Sequence, residues 1–417
     1  MQVYLVGGAV RDTLLDYPFS DRDWVVVGST PQQMLDQGYQ SVGKDFPVFL
    51  HPDSHEEYAL ARTERKNGHG YKGFEVFAAP NVTLEQDLIR RDLTINAIAQ
   101  DLDGNIVDPY NGVDDINNKL LRHVSDAFTE DPLRVLRVAR FAARYYHLGF
   151  RIADETAMLM QQLANSGELN HLVGERIWQE THKALGEKNP EVYIQVLRDC
   201  NALQAIMPEL DQLFGVPQSA LHHPEIDTGV HSLMALKQAC LLSSDRSVRF
   251  AALIHDLGKG TTPLSDLPRH IAHEVRGIKI IETLCKDIKV PNDFRDLAKI
   301  TGEFHTHIHR ALELKPATIL KVIEKCDAIR RPERFEHFLL VCEADAKGRL
   351  NLEHKPYPQA NYFRAMLKAC QAVSPKQLAD LGLKGKEFGE ALRSKRVDAI
   401  SDLKKMHFSN SSKNLYG

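Results

Sequence analysis

The reading of this chain turns on two stretches near its start, Leu5-Val6-Gly7-Gly8-Ala9-Val10-Arg11-Asp12 and Asp21-Arg22-Asp23-Trp24-Val25-Val26-Val27. Residues 2–6 read as a short strand that ends in a glycine pair, and residues 9–15 fit a helix. A glycine turn between strand and helix presents backbone N–H groups and the helix's positive end to a phosphate, with Arg11 one turn further on. Residues 24–27 are β-branched and read as the next strand. Alternate residues of a strand share a face, so Asp21 and Asp23 can converge on one hard cation such as Mg²⁺. Either feature alone is also what a plain turn or an acidic turn looks like. In this order they point to metal-assisted phosphoryl chemistry.

The chain has 417 residues, 43% hydrophobic, 26% charged and 7% aromatic. That is too long for one core and suggests two to four domains at ~100–200 residues each. The mix excludes a collagenous, low-complexity or disordered chain. No apolar run approaches the ~18 residues of a membrane span, and Met1-Gln2-Val3-Tyr4 lacks the basic start of a signal peptide, so a cytoplasmic location without membrane association is expected. Six cysteines, all from Cys200 onward and without a Cys-x-x-Cys pair, suit buried thiols in a reducing compartment. With a net charge of −4, nucleic-acid binding would require a local basic face.

Residues 47–50 and 74–77 are further strand candidates, and the glycine-rich, basic stretch 61–73 reads as a loop. From about Asp131 the pattern is helical. Asp131-Pro132 suits an N-cap followed by the first helical position. Arg134, Arg137, Arg140 and Arg144 then fall on one side of a helix, with Val135, Leu136, Val138, Ala139 and Phe141 covering much of the other. Gly215, Pro217, Pro224 and Gly229 punctuate the helices. The expected organisation is a head at 1–140, a helical neck at 141–227, a second helical domain at 228–350, and a helical segment at 351–417 whose polar tail frays from Lys404.

In the second half, His255-Asp256 stands at the end of an apolar helix, where both side chains can turn toward one ion. His231 upstream and His270, His273, His305, His307 and His309 downstream make this stretch unusually rich in metal ligands.

The first set of motifs, with Arg90-Arg91-Asp92-Leu93-Thr94-Ile95-Asn96-Ala97 and Glu130-Asp131-Pro132-Leu133-Arg134, resembles the class II tRNA nucleotidyltransferases, the CCA-adding enzymes and their bacterial poly(A) polymerase relatives. All four motifs occur in the family's order, across residues 1 to 225. The resemblance implies an α+β chain: a small polymerase-beta-like α/β head with a mixed sheet, then an all-α body. It implies that Gly8, Arg11 and Arg91 hold the nucleotide triphosphate, with Asp92 and Asn96 as further candidates, and that Asp21 and Asp23 bind catalytic Mg²⁺. It assigns Asp131 and Arg134 to the Watson–Crick edge of the incoming base, and Arg137 and Arg140 to nucleotide or RNA-end binding. CTP and ATP both offer an amine donor beside a ring-nitrogen acceptor, which a carboxylate and a guanidinium can pair; GTP and UTP present the opposite order. Glu75 is the candidate third carboxylate of the head.

The run His231…His255-Asp256…Asp is similar to the HD metal-dependent phosphohydrolases, over about residues 228 to 350. It implies an all-α domain holding Mg²⁺ or a divalent transition metal through His231, His255, Asp256 and a last aspartate. Asp327 fits the usual domain length, Asp345 is the alternative, and His270 and His273 are possible additions. Head and HD domain in one chain resemble the CCA-adding enzymes of certain Gram-negative bacteria. That pairing implies stepwise addition of C, C and A to the tRNA 3′ acceptor end from CTP and ATP, with phosphatase, 2′-nucleotidase and 2′,3′-cyclic phosphodiesterase activity in the HD domain. A monomer or weak homo-oligomer is expected. The alternatives are a poly(A) polymerase on the same scaffold, an HD hydrolase with a nucleotide-sensing head, and a non-catalytic tRNA-binding module.

Overall fold

Strand β1 (Gln2–Val6) ends at Gly7, whose φ of +68° lies in the left-handed region that glycine enters without a Cβ penalty, and the chain turns there into α1 (Gly8–Leu14). The computed structural model describes residues 1–42, 48–66, 74–221, 223–380 and 382–413. They form two compact units, Met1–Ile206 and Met207–Gly417.

The first unit is built on a mixed seven-stranded sheet. Its strands are β1, β2 (Asp23–Val27), β3 (Gln40–Val42), β4 (Val48–Leu50), β5 (Glu57–Leu60), β8 (Ala99–Gln100) and β9 (Ile106–Val107), in the order β3-β4-β5-β2-β1-β8-β9. β2 runs antiparallel to β1 and parallel to β5. Successive side chains of β2 enter different cores, as a period of two requires. Val25 packs with Val6 and with Leu84 and Leu88 of a helix at Leu84–Leu88; Val26 packs with Phe49, Leu60 and Met34 of a helix at Pro31–Asp36. In chain order those helices are α2 (Pro31–Asp36) and α3 (Leu84–Leu88), followed by α4 (Gly112–Asn117).

The stretch expected as a loop at 61–73 begins instead as β6 (Arg62–Lys66), because its backbone pairs antiparallel with β7 (Phe74–Ala78) in a separate two-stranded sheet. Residues 67–73, like Pro47 of the expected strand at 47–50, lie outside the described residues.

Helix α5 (Leu133–Tyr145) runs straight through the expected boundary at 140/141. Val135, Leu136, Val138 and Ala139 are wholly buried, against α7 (Gly174–Leu185) and α8 (Pro190–Asp199). The body is not purely helical: β11 (Arg151–Ile152) pairs in parallel with β10 (Leu120–Leu121). Helices α6 (Asp154–Asn165) and α9 (Ala202–Ile206) complete this unit.

The second unit starts earlier than the punctuation at 215–229 suggests. Residues after Met207, beginning with α10 (Pro208–Asp211), pack on the second helical domain: Gly229 N donates to Leu213 O at 3.1 Å and Thr228 N to Val216 O at 3.1 Å. Its core helices are α11 (Thr228–Leu242), α12 (Arg246–Ile254), α13 (His273–Asp287), α14 (Asn292–His309), α15 (Pro316–Lys325) and α16 (Pro332–Lys347). α11 packs on α12 and α16, and α14 on α12, α13 and α16. Helices α17 (Pro358–Ala372), α18 (Pro375–Asp380) and α19 (Gly385–Lys413) follow. The tail expected to fray from Lys404 remains helical to Lys413, and Lys404 Nζ donates to Leu314 O at 2.5 Å. No described helix is long and apolar enough to cross a membrane.

Candidate active sites

In the first unit, the antiparallel register of β1 and β2 sets Asp23 opposite Val6, the residue before the glycine turn. Asp21 precedes the strand rather than sharing it, yet both acids, Gly7, Gly8 and the arginines of α5 line one cavity of about 1040 Å³. Nine arginines and one lysine line it against five aspartates. This is the local basic face that the chain's net charge of −4 conceals.

The two acids fit a divalent cation. Both are exposed, and Asp23's carboxyl is pushed above its ordinary range by partial desolvation, with Arg91 opposing and Asp21 reinforcing the rise. A carboxyl raised by burial and by a neighbouring carboxylate in an arginine-rich cavity is relieved by a hard cation. A methyl on Gly7 would stand 2.8 Å from Arg91 Nη1, so the bare turn leaves that guanidinium its place.

Buried Asp92 organises the floor. Its Oδ1 accepts from Leu93 N at 2.9 Å and Asn96 Nδ2 at 2.8 Å, and its Oδ2 accepts from Arg137 Nε at 2.7 Å. Burial works against its charge, but Arg137 and these donors hold the carboxyl well below the usual range. Arg11 is held by Asp12 at 2.8 and 2.9 Å and by Asn96 Oδ1. Its guanidinium lies 4.9 Å from the Phe141 ring centroid, and that of Arg140 lies 4.4 Å from the same ring. Arg140 Nε also donates to Glu180 at 2.6 Å.

Asp131 combines two roles. Its Oδ1 accepts at 3.0 Å from N of Leu133, the first residue of α5, where Pro132 rather than the expected Asp131 is the N-cap, and Arg176 Nη2 donates to its Oδ2 at 3.0 Å. Arg134 donates to the carbonyls of Ala127 at 2.7 Å and Arg90 at 2.6 Å, which fixes its plane at the cavity wall. Sequence reasoning missed Arg176, Glu180 and Asp12. The i,i+4 spacing of Arg176 and Glu180 on α7 was the available signal. Glu75, the expected third acid, lies on β7 in the two-stranded sheet. The acid that the main sheet sets beside Asp23 is Glu57, its parallel register partner on β5.

In the second unit, α12 ends at Ile254 and His255-Asp256 follows at the helix end. His255, His273 and His305 are each anchored through Nδ1 to a backbone carbonyl, of Ala252, His270 and Thr301, at 2.8 to 2.9 Å. Each thus turns its Nε2 inward. The Nε2 atoms of His273 and His305 lie 3.4 and 3.5 Å from Asp256 Oδ1, and that of His255 lies 3.2 Å from Asp256 Oδ2. His231 Nε2 stands 3.1 Å from Asp345 Oδ1. Nε2 of His255 and Oδ1 of Asp256 are buried and make no hydrogen bond, which is how an imidazole and a carboxylate present themselves to a cation. Lys259 Nζ holds the other oxygen of Asp256 at 2.7 Å.

The charges agree with that arrangement. Burial opposes ionisation of Asp256 and Asp345, yet His255 with Lys259 beside the first, and His309 with His255 beside the second, hold both far below the ordinary carboxyl range. Burial drives His305 far below the usual imidazole value, so it offers a lone pair. His270 is lowered to about 4 by burial and then by Lys259; its Nδ1 pairs with Thr262 at 2.8 Å, outside the inner group.

Asp327 is not part of this centre. It sits in the turn after α15 with φ +53°, pairing with Arg330 Nε at 2.7 Å. Asp345, on buried α16, is the aspartate that reaches the histidines. Gly258, next but one after Asp256, passes so close to α13 that a Cβ would meet the His273 carbonyl oxygen at 2.0 Å.

Comparison with known proteins bears on both sites. Residues 3–122 match the family model for the poly A polymerase head domain, 149–214 the probable RNA and SrmB-binding site of polymerase A, and 228–329 the HD domain. A solved CCA-adding enzyme with ATP is 18% identical with a TM-score of 0.66, covering 96% of this chain and 86% of its own. A Thermotoga maritima CCA-adding enzyme complexed with tRNA is 19% identical with a TM-score of 0.63, covering 96% and 87%. These two share the fold. The multifunctional CCA protein of Hahella chejuensis (strain KCTC 2396) is 60% identical over 404 residues, 97% of this chain and 96% of that protein. A cavity joining glycine turn, acid pair and arginine helix in the first unit, a histidine–aspartate centre in the second, and identity at that level along nearly the whole length place this chain in the multifunctional CCA protein family.

Proposed function

We propose that the first unit adds C, C and A in turn to the 3′ acceptor end of tRNA from CTP and ATP, and that the second hydrolyses phosphoesters at RNA ends. The observation that carries the first reading is the single cavity shared by Gly8, Asp21, Asp23 and the arginines of α5. Gly8 and Arg11 take the triphosphate, Arg91 supports it, and Arg137 and Arg140 neutralise phosphate charge at the nucleotide or the RNA end. Asp131 and Arg134 offer an acceptor and a donor to the base edge. Asp21 and Asp23 would hold Mg²⁺, which would supply Lewis-acid activation of the RNA 3′-hydroxyl and charge neutralisation at the phosphates. Fixed arginines and a rigid glycine turn supply positioning and charge stabilisation without rearrangement during the step.

In the second unit His231, His255, Asp256 and Asp345 would hold a divalent metal, with His273 and His305 beside Asp256; a metal there polarises water and the phosphoester. Lys259 keeps Asp256 ionised. The enzyme works in the cytoplasm, in keeping with six cysteines free of disulfides. The test is primer extension on tRNA lacking its 3′ end, with each nucleotide supplied separately. Incorporation of C from CTP alone is expected; extension by ATP alone on the same primer would overturn the reading in favour of a poly(A) polymerase.

A further inference from the structure

Beside Asp345 lies a cavity of about 170 Å³, between the end of α14, the residues after α16 and the start of α17. His309, Arg349, Lys355, Tyr357 and Gln359 line it, and no acidic residue is among its described lining residues. Two buried polar atoms of this lining make no hydrogen bond: Nε of Arg349, a donor, and Oε1 of Gln359, an acceptor. A nitrogen of each side chain has a partner. Arg349 Nη2 lies 3.5 Å from Asp345 Oδ1, and Gln359 Nε2 donates to His309 O at 3.4 Å. An orphaned donor beside a lysine, together with an orphaned acceptor, calls for a ligand that carries both an anion and a hydroxyl. An ionised phosphate offers no donor, whereas a phosphorylated ribose offers both. The volume is below the ~300–1,000 Å³ of whole small-molecule pockets, which suits part of a nucleotide rather than all of it.

His309 connects this cavity to the histidine–aspartate centre. An ionised carboxylate can only accept, so His309 Nε2 donates to Asp345 Oδ2 at 2.6 Å, and its Nδ1 shares a hydrogen bond with the Tyr357 hydroxyl at 2.8 Å. One imidazole therefore separates the cavity from Asp345.

We propose that this cavity is the subsite for the ribose phosphate next to the scissile phosphoester, with Arg349 and Lys355 holding the non-scissile phosphate and Gln359 a ribose hydroxyl. The inference rests on the hydrolase reading given above and adds to it a preference: an RNA end that carries a second phosphate is favoured over a lone mononucleotide or an aryl phosphate.

The experiment compares three substrates with the full-length, metal-loaded chain: p-nitrophenyl phosphate, adenosine 2′,3′-cyclic phosphate, and a dinucleotide ending in a 2′,3′-cyclic phosphate. The wild type should show its lowest KM for the dinucleotide. Lys355→Met and Gln359→Leu should each lower the dinucleotide preference, read as the ratio of KM values, roughly tenfold, the scale of one lost charged or buried hydrogen bond. As a readout apart from turnover, calorimetric titration of the metal-stripped chain with a 3′-phosphorylated dinucleotide should weaken by a similar factor in Lys355→Met, the head being identical in both proteins. Equal changes on all three substrates, no change, or a mononucleotide as sensitive to Lys355 as the dinucleotide would each overturn the subsite while leaving the hydrolase reading standing. A wild-type chain that hydrolyses none of the three with any divalent metal overturns the hydrolase reading, and the subsite with it.

Discussion

The hydroxyl of Tyr145 donates to Oδ1 of Asp12 at 2.5 Å, tying the last residue of α5 to the helix that leaves the glycine turn. Asp12 also holds Arg11 at 2.8 Å and Arg144 at 3.2 Å, and is buried. One carboxylate thus aligns two guanidiniums on the nucleotide cavity. Asp12→Ala should raise the KM for CTP and ATP and lower kcat/KM for single-nucleotide addition by roughly a hundredfold, since it removes the carboxylate that both guanidiniums share. Tyr145→Phe keeps both ion pairs but loses the hydroxyl's bonds to Asp12 and Arg144, and should cost about tenfold, the scale of one hydrogen bond to a charged group. Steady-state addition kinetics on truncated tRNA would check both, and equal losses in the two variants would contradict this division.

The two chemistries should separate cleanly by mutation. Asp21→Ala or Asp23→Ala should reduce C addition by roughly a thousandfold or more, with phosphoester hydrolysis retained. His255→Ala and Asp256→Ala should do the converse. Primer extension and phosphatase assays on the same preparations decide it. Loss of both activities in any one variant would argue for a shared site or for misfolding, which circular dichroism distinguishes.

Asp345 and Asp327 offer a sharper contrast, because only the former reaches His231, His255 and His309. Asp345→Asn should abolish hydrolysis and lower the metal retained after dialysis. Asp327→Asn removes a surface pair with Arg330 and should leave both readouts within about twofold. Metal analysis alongside activity is the check.

Acid should act on the head through Asp92. Its folded-state pKa is depressed, so its contribution to stability is complete above the ordinary Asp value of ~3.9 and is lost as pH falls from there through the folded value. Asp92→Asn should therefore destabilise the first unit at pH 7 by about 2 kcal/mol, less than for a fully buried pair because the Arg137 side chain is 35% exposed. The difference from wild type should shrink only below pH 4. Hydrogen exchange at the amides of residues 91–96 reads it; a difference independent of pH would rule out the ionised carboxylate as its cause.

Much of this was legible in the sequence wherever the signal is local. The glycine turn, the acid pair and the 3-3-4 spacing of Arg134, Arg137, Arg140 and Arg144 depend on strand and helix periods, and all of these residues line the cavity. His255-Asp256 was legible for the same reason, as a polar pair closing an apolar helix. What escaped depends on packing between distant elements. Asp345 joins His231 only because α11 and α16 lie together, and domain length pointed instead to Asp327, which the turn after α15 carries to the surface. Asp12 reads as an ordinary helical acid until α5 closes over it. Glu57 meets Asp23 through a parallel pairing that crosses two intervening strands in sequence.

Gly258 has a consequence for the histidine–aspartate centre. The peptide just beyond Asp256 rests on the first turn of α13 with no room for even a methyl group. The main-chain separation of Asp256 and His273 is therefore set by direct contact, and changing it means bending main chain. Any side chain larger than hydrogen at this position would push α13 outward and carry His273 away from Asp256.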